Sequence, residues 1–158
     1  REQLTKNTQK RFLEYELNRK VLNEYLIDSR RSFREIARTL DVAPGTIVSR
    51  VNQAENLGII EKYTAKINHK ALGLGVTAIF RVTLATKGLL DPGHSIYTRP
   101  GVFAVYGVTG NTDVIIIGKF TDTEKLYEFT QWLNELKEVS GAHTNVVLNT
   151  GKEDFNTL

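Results

Sequence analysis

The side chains best suited to chemistry lie between Arg30 and Gln53. Gly45, Thr46, Ser49, Arg50, Asn52 and Gln53 fall on one side of a helical repeat, and Ile47, Val51, Ala54 and Leu57 fall on the other. Hydroxyl, amide and guanidinium groups presented together are the chemistry that reads base edges and phosphates in a major groove. Pro44 precedes them at a first-turn position, where its missing N–H costs nothing. Arg30, Arg31 and Arg34 surround the start of the preceding helix, whose outward-facing N–H groups also suit a phosphate. Ser32 followed by Glu35 is the capping-box spacing that starts this helix. Two short amphipathic helices packed at a corner, with a solvated basic surface, would give the same spacing. The surrounding sequence has to decide.

Positioning these groups takes a helix-turn-helix. Residues 32–40 place Phe33, Ile36, Ala37 and Leu40 on one face, and residues 41–43 form a break too short for a loop. Gly58 closes the second helix. Upstream, Leu13, Leu17, Val21 and Tyr25 recur every four residues, joined by Leu22 and Leu26, so a helix of at least three turns precedes the motif. The result is a three-helix head over residues 1–60, whose basic first dozen residues either extend that helix backwards or stay loose. Residues 60–67 alternate as a strand, which reads as a wing or a linking strand. Charge agrees with this division. The chain carries 14 basic and 9 acidic residues through Lys70, and 7 and 9 beyond it. That asymmetry fits a nucleic-acid-facing segment joined to one with another job.

Composition excludes more than it assigns. The 158 residues, 41% of them hydrophobic, suffice for one domain or two small ones. No apolar run approaches the roughly 18 residues of a membrane span, and no signal peptide is visible. A cytoplasmic, nucleoid-associated protein with no membrane partner is therefore expected. Cysteine is absent, which excludes disulfides, thiolate metal sites and cysteine nucleophiles. Methionine is absent even from position 1, which implies a native start before Arg1. His69 and His94 stand alone without metal-ligand spacing. There is no Gly-rich phosphate loop and no nucleophile with its base. No metal, no cofactor and no enzymatic activity are expected.

Residues 61–75 read as a linking strand and turn-rich hinge, 76–150 as a second domain, and 151–158 as a tail. Residues 76–85 read as a strand. Asp91 can cap a short helix with Pro92 in its first turn, running to about Thr98. Residues 102–108 and 113–120 read as strands joined by a tight turn. Thr121 or Asp122 caps a helix carrying Leu126, Phe129, Trp132, Leu133 and Leu136, with Phe129 and Trp132 in the core. Ser140-Gly141 ends that segment, and 143–150 reads as the last strand. The order βαββαβ is the split ferredoxin-like pattern, an antiparallel sheet with both helices on one face. The expected fold class is α+β: a winged helix-turn-helix head followed by a ferredoxin-like domain. The helix-free sheet face needs cover, most economically from a second copy, and Tyr106 suits such a contact.

Several spaced motifs carry a resemblance. They are Asp28-Ser29-Arg30, Arg50-Val51, Leu57-Gly58-Ile59-Ile60, Tyr63-Thr64-Ala65, Pro100-Gly101-Val102 and Val108-Thr109-Gly110-Asn111-Thr112-Asp113. From about Asn18 to Thr150 the chain resembles the leucine-responsive/asparagine-responsive (Lrp/AsnC) feast/famine transcription regulators. The resemblance implies a sequence-specific regulator of double-stranded DNA with a RAM/ACT-like second domain. It also implies a homodimer, or a tetramer or octamer of dimers, and a small amino acid as effector. On residues alone, positions 110–113 are hairpin-turn chemistry. The resemblance makes 109–113 an effector loop between dimers. Asp113 would then pair an ammonium group and N–H groups near Gly110 and Asn111 would take a carboxylate, with Thr109 and Thr144 supplying hydroxyls and Thr112 completing the loop. His143 is read as a strand-end residue. Glu14-Tyr15 and Asn18 replace the family's usual acidic residues, Ala43 replaces a capping Ser, and Pro92-Gly93 should shorten the helix near the effector region. These departures bear on effector response more than on DNA binding. The rival reading is an architectural protein that wraps DNA without an effector. A third is a ferredoxin-like sensor or enzyme subunit whose head docks onto protein.

Overall fold

In the structure, a computed structural model that describes residues 2–158, Tyr15 splits the N-terminal helical stretch in two. Helix α1 (Glu2–Glu14) and helix α2 (Glu16–Ile27) meet at its extended backbone, φ −83° and ψ 117°. The head therefore has four helices rather than three. The basic extension forms a helix of its own, apart from Arg1, which lies outside the described residues. Helix α3 (Phe33–Leu40) begins at Ser32 with both halves of a capping box: Ser32 Oγ accepts from the Glu35 N–H at 3.2 Å, and Glu35 Oε2 accepts from the Ser32 N–H at 2.7 Å. Removing such a cap typically costs about 1 kcal/mol. Asp41 then turns the chain in the left-handed region, φ 53°. Helix α4 (Pro44–Asn56) follows with Pro44 in its first turn and, at Ala43, no side-chain cap. Gly58 ends α4 at φ 66°, with its N–H donating to Glu55 O at 2.9 Å and the Ile59 N–H donating to Ala54 O at 2.8 Å. That pair of bonds is a Schellman end.

The apolar stripes of these helices close on one another. Val21, Ile36, Ala37, Ile47 and Val51 form one buried cluster, and Phe12, Leu22 and Ala54 form a second. Phe33, expected to face inward with Ile36 and Ala37, is exposed instead. It is the first residue after the cap, at the end of the helix. Residues 61–67, expected as a strand, are neither helix nor strand. Alternating side chains satisfy only half of a strand's requirements. Its N–H and C=O groups also need a hydrogen-bonded neighbour, and none is present among the described residues. By contact, residues 152–158 belong with the head up to Lys66, and Asp154 Oδ1 lies 3.6 Å from Lys66 Nζ.

The second unit, residues 67–151, contains β1 (Val76–Leu84), β2 (Val102–Gly107), β3 (Val114–Phe120), α5 (Thr123–Glu135) and β4 (Val139–Val146). The strands form one antiparallel sheet in the order β2-β3-β1-β4. Asp122 caps α5, accepting from the Lys125 N–H at 2.8 Å. Alternation sends Ala78, Phe80 and Val82 to the same side as Val114, Ile116 and Phe120, where Leu126, Phe129 and Leu133 of α5 cover them. Ring centroids of Phe80, Phe120 and Phe129 lie 4.8, 5.3 and 6.2 Å apart. The half-buried Trp132 flanks Phe129, with the Arg99 guanidinium 3.7 Å above its ring. Register puts Ile79, Arg81, Ile115, Ile117 and Tyr106 on the opposite face.

Two expectations fail here for identifiable reasons. The helix expected from Asp91 to Thr98 is replaced by two 3-10 turns, Lys87–Leu90 and Ser95–Thr98. Asp91 ends the first, and His94 caps the second through Nδ1, which accepts from the Ile96 N–H at 3.0 Å. Gly93 sits at φ 84°, outside the helical region, so the chain turns directly after Pro92 and no helix continues from that start. The last strand runs from Val139 to Val146, not from 143 to 150. Ser140 and Gly141 lie inside it, where Gly141 pairs with Thr83 next to a register shift at Leu84.

Candidate functional site

Helix α4 separates its two chemistries by face. Ile47, Val51 and Ala54 are at most 2% exposed, while Pro44, Gly45, Ser49, Asn52 and Gln53 are exposed and Thr46 and Arg50 are half-buried. The burial of the apolar stripe is what holds the polar row outward. The structure therefore brings Pro44, Gly45, Thr46, Ser49, Arg50 and Gln53 onto one surface. Their hydroxyl, amide and guanidinium groups can hydrogen-bond base edges and phosphates.

The three arginines before α4 differ in what their side chains already hold. Arg30 Nε and Nη2 grip the two carboxylate oxygens of Asp28, each at 2.9 Å, and the Arg30 N–H adds a 3.0 Å bond. Those hydrogen bonds hold the Asp28 carboxyl down at about 2. Arg31 turns inward. It pairs with Glu24 of α2 and donates to Thr39 Oγ1 and to the Glu35 carbonyl, and only 25% of its side chain is exposed. It bolts α2 to α3. Ser32 commits its hydroxyl to the cap, accepting from the Glu35 N–H and donating to Glu35 Oε2 at 2.8 Å. Arg34 is exposed, and neither it nor Arg50 forms an ion pair among the described residues. Arg34 and Arg50 are the cations of this set with their donors open.

Tyr63, expected as part of the 60–67 strand and of a family motif, closes on the same helix. Its hydroxyl donates to Glu55 Oε1 at 2.7 Å, and its ring lies 5.8 Å from that of Tyr25. Burial, with the Glu55 hydrogen bond next, pushes the phenol well above its ordinary range. Periodicity gave no sign of this, because Tyr63 and Glu55 meet only after the chain reverses at Gly58.

In the second unit, Gly110 turns the 109–113 loop at φ 102°, and the Val108 N–H donates to Asp113 O at 2.9 Å. Asp113 ties this hairpin to β1 twice: its N–H donates to Val82 O at 3.0 Å, and its Oδ2 accepts from the Leu84 N–H at 2.8 Å. Oδ1 has no protein hydrogen bond among the described residues. Asp113 is exposed, as are Thr109, Gly110 and Asn111, while Thr112 is half-buried. Thr144 is not brought to this loop within the chain. It lies on β4 opposite Phe80, with β1 between it and β3. No His/Asp/Glu group able to hold a metal occurs among the described residues, and no described helix is long and apolar enough to cross a membrane.

Residues 16–61 match the family described as winged helix-turn-helix DNA-binding, and residues 77–157 match the Lrp/AsnC ligand binding domain. Together with the outward face of α4, these define a DNA-binding transcriptional regulator with a ligand-binding domain. The chain belongs to the Lrp/AsnC family, whose members are transcriptional regulators and not enzymes. An uncharacterized HTH-type transcriptional regulator of Pyrococcus horikoshii is 39% identical over 139 residues, 88% of this chain and 94% of that one. The crystal structure of a Neisseria meningitidis transcriptional regulator in complex with L-Met superposes with a TM-score of 0.84 at 24% identity, covering 91% and 96% of the two chains. A feast or famine regulatory protein from M. tuberculosis, complexed with L-methionine, gives 0.72 at 23% identity, covering 87% and 93%. These two likenesses carry the fold alone.

Proposed function

We propose that the chain binds specific sites on double-stranded DNA as a homodimer or a larger even-numbered assembly. A small amino acid at the 109–113 loop then modulates assembly or DNA binding. The observation that carries the first part is the sorting of α4, whose apolar side is buried and whose Gly45, Thr46, Ser49, Arg50 and Gln53 side is open. Self-association is supported by the helix-free sheet face, on which Ile79, Ile115 and Ile117 lie side by side. The effector reading draws on the matched ligand-binding domain and on the exposed carboxylate of Asp113, which bonds the Leu84 N–H through Oδ2 alone among the described residues; two regulators of like fold were solved in complex with L-Met and L-methionine.

One observation favours the rival, an effector-independent architectural protein. The bond from the Leu84 N–H to Asp113 gives that carboxylate a structural duty of its own. Binding-site selection from random DNA, repeated with each amino acid present, separates the two. A selected site preferred by about a thousandfold or more over random sequence supports the regulator, and equal affinity supports the architectural protein.

A further inference from the structure

Helix α1 lies outside the region that matches the winged helix-turn-helix family, which begins at residue 16. Its contacts nonetheless converge on the far end of α4. Gln9 Nε2 donates to the carbonyl of Leu57, the C-cap of α4, at 2.6 Å. Phe12, 3% exposed, packs with Leu22 and Ala54 where Leu57, Ile59 and Ile60 also close. Asn18 Nδ2 donates to the Phe12 carbonyl at 2.7 Å. The last carbonyls of a helix have no partner within it. Gln9 supplies one for α4, and Asn18 supplies one for α1. Asn18 is 1% exposed, and its Oδ1 is buried without a partner among the described residues, an arrangement native proteins seldom keep. The same last turn of α4 is held from the linker by the Tyr63 hydroxyl on Glu55.

We propose that α1 is a positioning element for DNA recognition. Docked through Gln9, Phe12 and Asn18, it fixes the last turn of α4 and the start of the linker, and so sets how α4 fits a specific site. This rests on the reading of α4 as the recognition helix. Specific binding needs that helix held in register with base edges, whereas non-specific binding needs only cations near phosphates.

The test uses the full chain and three variants: Gln9→Ala, Phe12→Ala and Asn18→Asp, the last setting a carboxylate against the Phe12 carbonyl. Each is titrated against its selected site and against random DNA over a range of salt, with amide hydrogen exchange followed at residues 54–60. The expected result is about a tenfold loss on the selected site, unchanged affinity and salt slope on random DNA, and faster exchange at residues 57–60. Gln9→Ala removes only a half-buried amide, so it remains informative where Phe12→Ala unfolds the head. Equal losses on both DNAs with a shallower salt slope would overturn the proposal, making α1 a phosphate contact through Lys10 and Arg11. Full retention of site affinity in all three variants would overturn it too, while leaving the regulator reading intact. A wild-type protein without site preference would overturn both.

Discussion

Arg50 and Arg31 carry the same guanidinium in opposite surroundings. Arg50 stands on the outer side of α4 with no ion pair among the described residues, so its fork is open to a guanine or a phosphate. Arg50→Ala should weaken binding to the selected site by about 1–3 kcal/mol per head, read by mobility shift at moderate salt. Arg31 spends its donors on Glu24, Thr39 and the Glu35 carbonyl. Arg31→Ala should therefore lower the melting temperature of the head and leave the salt slope of DNA binding unchanged. Sequence spacing put Arg30, Arg31 and Arg34 together as phosphate contacts. It could not separate them, because Glu24 and Thr39 approach Arg31 only once α2 and α3 have packed. Asp28 gives the pH prediction. Its carboxyl falls from an ordinary 3.8 to about 2 in the folded head, so the Arg30 pair stabilises fully above about pH 4 and is lost as pH falls through about 2. Acid titration of head unfolding should show that loss, and Asp28→Asn should flatten it.

Helices with their own cap or stop were legible, and so were the apolar strands β1, β2 and β3. α3, α4 and α5 announce themselves by cap, stripe and stop, and the structure keeps Ser32, Gly58 and Asp122 in those roles. Residues 60–67 show the limit, because alternation cannot say whether a neighbouring strand exists. Residues 91–98 show another: Asp91-Pro92 resembles a helix start, yet Gly93 at φ 84° makes a turn of it. Of the candidate sites, the α4 face follows from periodicity alone, whereas the link from Asp113 to Leu84 spans 29 residues. The proposal gives the 109–113 loop two separable duties, tying the hairpin to β1 and taking an effector. In Asp113→Asn the amide oxygen can still accept from Leu84 while the charge is gone. That variant should stay folded and lose binding of any amino acid that the wild type binds, as read by calorimetry against all twenty. Asp113→Ala should also destabilise the β2–β3 hairpin. Silence from every amino acid with the wild-type protein would leave the loop a structural turn.

At the scale of the whole molecule, the proposal gives the basic head the reading of DNA, and gives the second unit, which matches a ligand-binding domain, the joining of copies and the effector. The joining claim rests on a sheet face bearing Ile79, Ile115 and Ile117, on the side of the sheet away from α5. Ile117→Asp should convert the assembly to monomers in sedimentation at micromolar concentration, because a charge there cannot be buried against a second copy. A monomeric wild type would sink that claim. Monomers should also bind the selected site more weakly, since two linked heads gain effective concentration that one lacks. The central claim, that the outer face of α4 reads sequence, is tested most directly by one ratio. That ratio is the affinity of the full chain for its selected DNA site divided by its affinity for random DNA of the same length and salt. A ratio of about a thousand or more is predicted, falling toward one in Arg50→Ala; a wild-type ratio near one would contradict it.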